Sequence, residues 1–222
     1  MIIEKVNKKS KQVVSKQRVS DYGEVFTSDR EVNAMLNLVK PETERIESRF
    51  LEPACGTGNF LAEVLARKLK IVKSRYAASQ LEFERNSVLA VSSIYGIDIL
   101  QDSVVNCRKR LSNIFEETYV QLFQETEKRE CHNAIQYILE KNIVHGNALI
   151  MKTIGDPPRP IIFAEWSPVN GNMLKRRDYI MSFLVENHYQ TRLFSDQGDL
   201  ADINEPIKEY PLTHFLEVSQ ND

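Results

Sequence analysis

Cysteine, tryptophan and histidine are scarce, at three, one and four among 222 residues. Cys55, Cys107 and Cys131 are odd in number and widely scattered, which excludes a disulfide framework and a zinc knuckle. His132, His145, His188 and His214 fall at no ligand spacing, so no metal is expected and the histidines read as structural. No apolar run approaches the roughly 20 residues of a membrane helix. The lysine-rich start is not followed by the apolar segment of a signal peptide. No membrane partner is therefore expected, and a cytoplasmic location is the natural expectation. Repeats and low-complexity tracts are missing as well. What remains is 42% hydrophobic and 27% charged, which fits one soluble domain with appendages.

Little net charge is present, −2 in all, but it is unevenly laid out. Residues 1–20 carry six Lys or Arg against Glu4 alone, whereas residues 186–222 carry eight acids against Arg192 and Lys208. A basic arm of this kind can track phosphates, and a solvated terminus has the same composition. We expect a basic arm over 1–20, a central domain over 21–170 and an acidic extension over 171–222.

The central region alternates apolar runs with amphipathic stretches. Ser28-Asp29 can cap a helix with Val32, Met35, Leu36 and Val39 on one face, ending before Pro41. Strands are expected at Phe50–Ala54, Ile94–Ile99, Ile143–His145 and Pro160–Trp166. Helices are expected from Asn59, around Leu81–Ser92 and across 101–140. Strands alternating with helices predict an α/β fold, a Rossmann-like, doubly wound and mostly parallel sheet with ligands at the strands' carboxyl ends. Only some 50 residues follow Ser167, so the sheet is expected to be truncated on its C-terminal side, with an open edge that invites a partner subunit.

Glu52-Pro53-Ala54-Cys55-Gly56-Thr57-Gly58-Asn59-Phe60-Leu61 is the most specific stretch. Two glycines between a strand and a helix permit a tight turn and close backbone approach to a ligand. The whole stretch resembles motif I of the amino-group DNA methyltransferases of restriction-modification systems. That resemblance implies S-adenosylmethionine (SAM) as cofactor, with the Glu52-to-Gly58 loop, Ala54 and Gly56 included, around its methionine part and Glu52 facing the ammonium. Tyr95-Gly96-Ile97-Asp98-Ile99 is similar to motif II, which puts Asp98 on the ribose and Ile99 against the adenine. Asp98 follows Gly56 by 42 residues, about twice the usual interval, so an extra helix must lie between the two strands. Gly146-Asn147-Ala148-Leu149 resembles the segment after the third strand, where Asn147 offers its amide to the adenine edge. Gly23-Glu24-Val25-Phe26-Thr27-Ser28 resembles the segment that closes over the methionine end through Phe26 and Thr27, with Ser28 in place of the usual proline.

The family's catalytic motif, [N/D/S]-P-P-[Y/F/W] beyond strand four, is matched only by half. Ser167-Pro168 fits its beginning, but Val169 and Asn170 stand where a second proline and the base-stacking aromatic belong. The resemblance makes Ser167 and the Pro168 carbonyl the expected acceptors for the target amine. Asp156-Pro157-Pro158-Arg159 precedes the strand and reads as a turn. Lys175-Arg176-Arg177 could hold phosphates near a substrate mouth, although a short charge run is usually a solvated face. The primary expectation is a SAM-dependent methyltransferase acting on adenine amino groups in DNA. The alternatives are a non-catalytic SAM-binding subunit that supports a partner methylase or specificity chain, and a methyltransferase acting on RNA or protein.

Overall fold

The computed structural model describes residues 27–184 and 205–220. The basic arm, Phe26 and residues 185–204 lie outside them. Helix α1 (Asp29–Leu38) starts where Ser28 was expected to cap it, and the Ser28 hydroxyl and Glu31 carboxylate form a reciprocal capping box. Val32 and Leu36 are buried, whereas Met35 and Val39 stay exposed, so the apolar stripe is narrower than the periodicity implied. Pro41 does not end the helical region but opens a short α2 (Lys40–Thr43), as proline at a first helical turn can.

Three parallel strands follow in spatial order. They are β1 (Phe50–Glu52), β2 (Ile94–Asp98) and β3 (Ile143–Asn147). Between β1 and β2 stand α3 (Asn59–Tyr76) and α4 (Gln80–Ser92), so the long interval is filled by a helical hairpin. Between β2 and β3 stand α5 (Gln101–Phe123) and α6 (Arg129–Asn142). A buried carboxylate fastens these helices together. Glu84 accepts from Tyr119 Oη at 2.6 Å, from Gln80 Nε2 at 2.8 Å and from Lys128 Nζ at 2.8 Å. Phe50, Ile94 and Ile143 pack with the apolar faces of all four helices, among them Leu61, Val104 and Ile138. Alternate strand residues point the other way, so Tyr95, Ile97 and Val144 form a second apolar layer with Ile161, Phe163 and Met181.

That second layer departs from a doubly wound sheet. The strand expected as fourth in the parallel sheet, β5 (Ile162–Val169), pairs antiparallel with β6 (Met173–Ile180) in a separate sheet. The hairpin lies over the face of the parallel sheet that the four helices leave bare. Its turn is Asn170-Gly171-Asn172, with Gly171 at φ 73°, in the left-handed region that glycine adopts at no steric cost. The domain boundary expected at residue 170 therefore falls inside this turn. Leu174, Phe215 and Val218 belong to the same core as the helices. β4 (Lys152–Thr153) adds an antiparallel edge to β3, while β7 (Lys208–Glu209) and β8 (Thr213–His214) pair with β6. Arg176 is buried here, its Nε and Nη2 donating to the two carboxylate oxygens of Asp178 at 2.8 Å each and its guanidinium carbon lying 4.0 Å from the centre of the Tyr210 ring. Lys175 and Arg177 pair with Glu209 on β7, so the basic run is tied up within this second sheet rather than arrayed for phosphates.

Candidate functional site

Strand register gathers the expected cofactor residues on one face. Glu52 lies opposite Gly96, and Asp98, two residues on, lies opposite His145. Asn147 follows His145 by two, so it shares that face. Glu52, Asp98 and Asn147 thus end three adjacent parallel strands on the same side.

The glycine loop is built around these ends. Cys55 N–H donates to the Ile97 carbonyl at 2.9 Å, and Gly58 N–H closes a turn onto the Cys55 carbonyl at 2.8 Å. Gly56 has φ 52° and Gly58 φ 83°, and the two glycines are required for different reasons. A Cβ on Gly58 would lie 2.7 Å from Cys107 Sγ, so glycine is demanded there by the helix packed beneath. A Cβ on Gly56 would meet nothing within 4 Å, so there it is the left-handed backbone alone that favours glycine, and the space in front of the loop is open. Hydrogen bonding to Cys107 and burial push the Cys55 thiol far above the ordinary range, which keeps it a neutral packing group rather than a nucleophile.

Asp98 ties the loop to β2. Its Oδ2 accepts from Gly56 N–H at 2.8 Å and its Oδ1 from Leu100 N–H at 2.9 Å. Each oxygen retains a further lone pair. Glu52 is half-buried, and burial raises its carboxyl above the usual range, offset in part by the Ala54 N–H. No cation pairs with it among the described residues, so a ligand ammonium would fit this carboxylate. Asn147 Oδ1 accepts from Leu149 N–H at 2.9 Å, which leaves its amide hydrogens to donate elsewhere. Ile99 is 39% exposed beside them. Thr27 is joined to the loop by its carbonyl, which accepts from Asn59 Nδ2 at 3.2 Å. Asn59 Oδ1 in turn accepts from Arg110 on α5, a residue sequence reasoning passed over.

Ser167 and Pro168 are not brought to this place. β5 starts at the carboxyl end of β3, where Ile161 packs on Gly146, and descends across the sheet. Tyr95 Oη donates to the Ala164 carbonyl at 2.9 Å, and Arg49 Nη2, just before β1, reaches Glu165 Oε1 at 2.6 Å. Trp166 Nε1 donates to Asn142 Oδ1 at 3.0 Å, immediately before β3 begins. Ser167 and Pro168 thus sit beyond the amino ends of the parallel strands, opposite to Glu52 and Asp98. The catalytic expectation rested on a parallel fourth strand, whereas no helix stands between β3 and β5, so β5 starts at the carboxyl ends of the parallel strands and runs back. Asn170-Gly171 was the available warning, since Asn-Gly between alternating apolar residues is a strong hairpin signal. Asp156-Pro157-Pro158-Arg159 forms an exposed turn, closed by Thr153 N–H on the Arg159 carbonyl at 2.8 Å.

Among the described residues no cluster of side chains could hold a metal ion, and no helix is long and apolar enough to cross a membrane. No curated protein and no solved structure matches the chain. Residues 27–154 match the family model described as "MmeI, DNA-methyltransferase domain". That span is more than half of the 222 residues and holds the glycine loop and all three parallel strands, but it ends before β5. The chain therefore belongs to the MmeI DNA-methyltransferase domain family, and with it to the restriction-modification DNA methyltransferases.

Proposed function

We propose that this chain binds SAM at the carboxyl ends of β1–β3 and serves methyl transfer to the exocyclic amino group of adenine in DNA, within a Rossmann-like sheet. The observation that carries the reading is the row of Glu52, Asp98 and Asn147 on one face, with the Gly56–Gly58 loop between the first two. Ligands of open parallel sheets bind at this end of the strands. In the proposal Glu52, short of a cation, takes the ammonium. Ala54 and Gly56 let the loop backbone follow the methionine part, and Phe26 and Thr27 close over it. Asp98 accepts the ribose hydroxyls with its remaining lone pairs. Ile99 packs on the adenine and Asn147 donates to its edge. When bound, SAM supplies a methyl group on a sulfonium, open to in-line attack by an amine. This chain's contribution is to hold that carbon in a fixed place, which is worth several kcal/mol where the attacking amine is also positioned.

A second reading is favoured by one specific feature. Among the described residues nothing pairs with the outer edge of β1, and the half-matched catalytic segment leads away from the cofactor face. On this reading the chain is a SAM-binding subunit, and a partner methylase chain pairs a parallel strand with β1 and brings its own amine-binding residues. Calorimetry with SAM on the wild type and on Asp98→Ala tests the common part. Removing the ribose acceptor should weaken binding by about 1.5–3 kcal/mol, and a folded wild type that binds no SAM would refute both readings. Labelled-methyl transfer to mixed-sequence duplex DNA separates them. Turnover by the purified chain alone favours the first, and turnover only with a partner favours the second.

A further inference from the structure

β3 presents one more side chain on the cofactor face, at a place to which no function has yet been given. His145 stands opposite Asp98 in the β2–β3 register, and its Nε2 lies 3.0 Å from the carbonyl oxygen of Ile99. A carbonyl only accepts, so the ring must carry its hydrogen on Nε2 and donate. The Ile99 carbonyl and the Leu100 N–H belong to one peptide unit. That unit is gripped at both ends, since Leu100 N–H donates to Asp98 Oδ1 at 2.9 Å. Turning the plane of this peptide would break both bonds together. The same Asp98 carboxylate is held at its second oxygen by Gly56 N–H at 2.8 Å. His145, the turn after β2, Asp98 and the glycine loop are thus connected in series.

We propose that His145 is a positioning residue for the adenosine end of the cofactor. It fixes the Ile99–Leu100 peptide plane, and through it both the carboxylate orientation of Asp98 and the place of the Ile99 side chain. The inference rests on the reading that Asp98 and Ile99 receive a nucleoside. It predicts a partition of effects by ligand part. Loss of the imidazole loosens the ribose and adenine contacts, while the ammonium contact at Glu52 is untouched.

The test is calorimetry with two probes, S-adenosylhomocysteine and 5′-methylthioadenosine, the second of which lacks the amino-acid part. His145→Ala should weaken both by a similar factor, roughly 5- to 30-fold for one or two kcal/mol. His145→Gln, which keeps a donor, should recover most of the loss. Glu52→Gln should weaken S-adenosylhomocysteine alone. Nitrogen NMR of the wild-type imidazole should show the hydrogen on Nε2, a readout that needs no variant and stands if His145→Ala fails to fold. Unchanged affinity of His145→Ala for both probes, or a ring protonated on Nδ1 alone, overturns the inference while leaving the cofactor reading in place. A wild type that binds neither probe overturns the two together.

Discussion

At the scale of the residue, Glu52 is the side chain whose charge state should be visible in solution. Burial raises its carboxyl, and only the Ala54 N–H opposes the rise. A bound ammonium favours the ionised form and would pull it back down. The protonated acid offers such a ligand no charge, so SAM affinity should be full where Glu52 is ionised and fall as pH drops through its raised range. Binding should release almost no proton well above that range and up to one proton within it. Glu52→Gln should weaken binding by about 1.5–3 kcal/mol and flatten the pH profile, as expected for a lost bond to a charged group. A wild-type profile flat over this range would remove the ammonium from Glu52.

At the scale of the element, Lys68 decides how α3 seats the start of β1. It is fully buried, and its Nζ donates to the Ile46 carbonyl at 3.0 Å, to the Ser48 carbonyl and to Ser93 Oγ. Burial lowers its pKa from 10.5 to about 7. Between these values the unfolded chain binds a proton that the folded chain has shed, so stability should rise with pH across that window. Denaturant unfolding at pH 7 and at pH 9.5 should show the rise in the wild type. Lys68→Met should lack this increment, and at pH 9.5 it should be less stable by about 1–3 kcal/mol because the part-buried Ser48 carbonyl loses its donor and the Ile46 carbonyl keeps only Ser93 Oγ. The elements themselves were largely legible in the sequence. Ser28 announced α1, and the glycine pair announced the turn from β1 into α3. The long Gly56-to-Asp98 interval announced extra helix, because such an insertion leaves strand register untouched. The direction of β5 was not legible from its apolar run, since burial of a strand face is the same whichever way the chain runs. What the sequence did carry was the hairpin turn Asn170-Gly171 and the absence of a helical stretch between β3 and β5 that a parallel crossover needs. The candidate site followed the same rule: Asp98 and Gly56 could be paired by motif order, whereas the contacts of His145 with Ile99 and of Arg110 with Asn59 arise only in the packed chain.

At the scale of the molecule, the parallel sheet has helices on one face and a hairpin on the other, and among the described residues nothing pairs with the outer edge of β1. Beside that edge lies a cavity of about 420 Å³, lined by Phe50, Leu51, Tyr95, Phe163, Tyr179 and Leu184, with the Arg49–Glu165 pair at its side. If a partner strand pairs with β1, Leu51→Lys should abolish partner-dependent methyl transfer while SAM affinity stays within twofold, because Leu51 faces away from Glu52. The hairpin has a practical consequence for anyone who excises this domain. The family match stops at residue 154, yet Ile97 and Tyr95 are covered by Ile161, Phe163 and Met181, which come later. A fragment cut at the homology boundary would carry the glycine loop and all three strand-end motifs and still present a bare apolar slab to water. Such a fragment should express as aggregate, whereas one that runs on through residue 220 should purify. The stretch that heredity marks and the stretch that can stand in solvent have different ends.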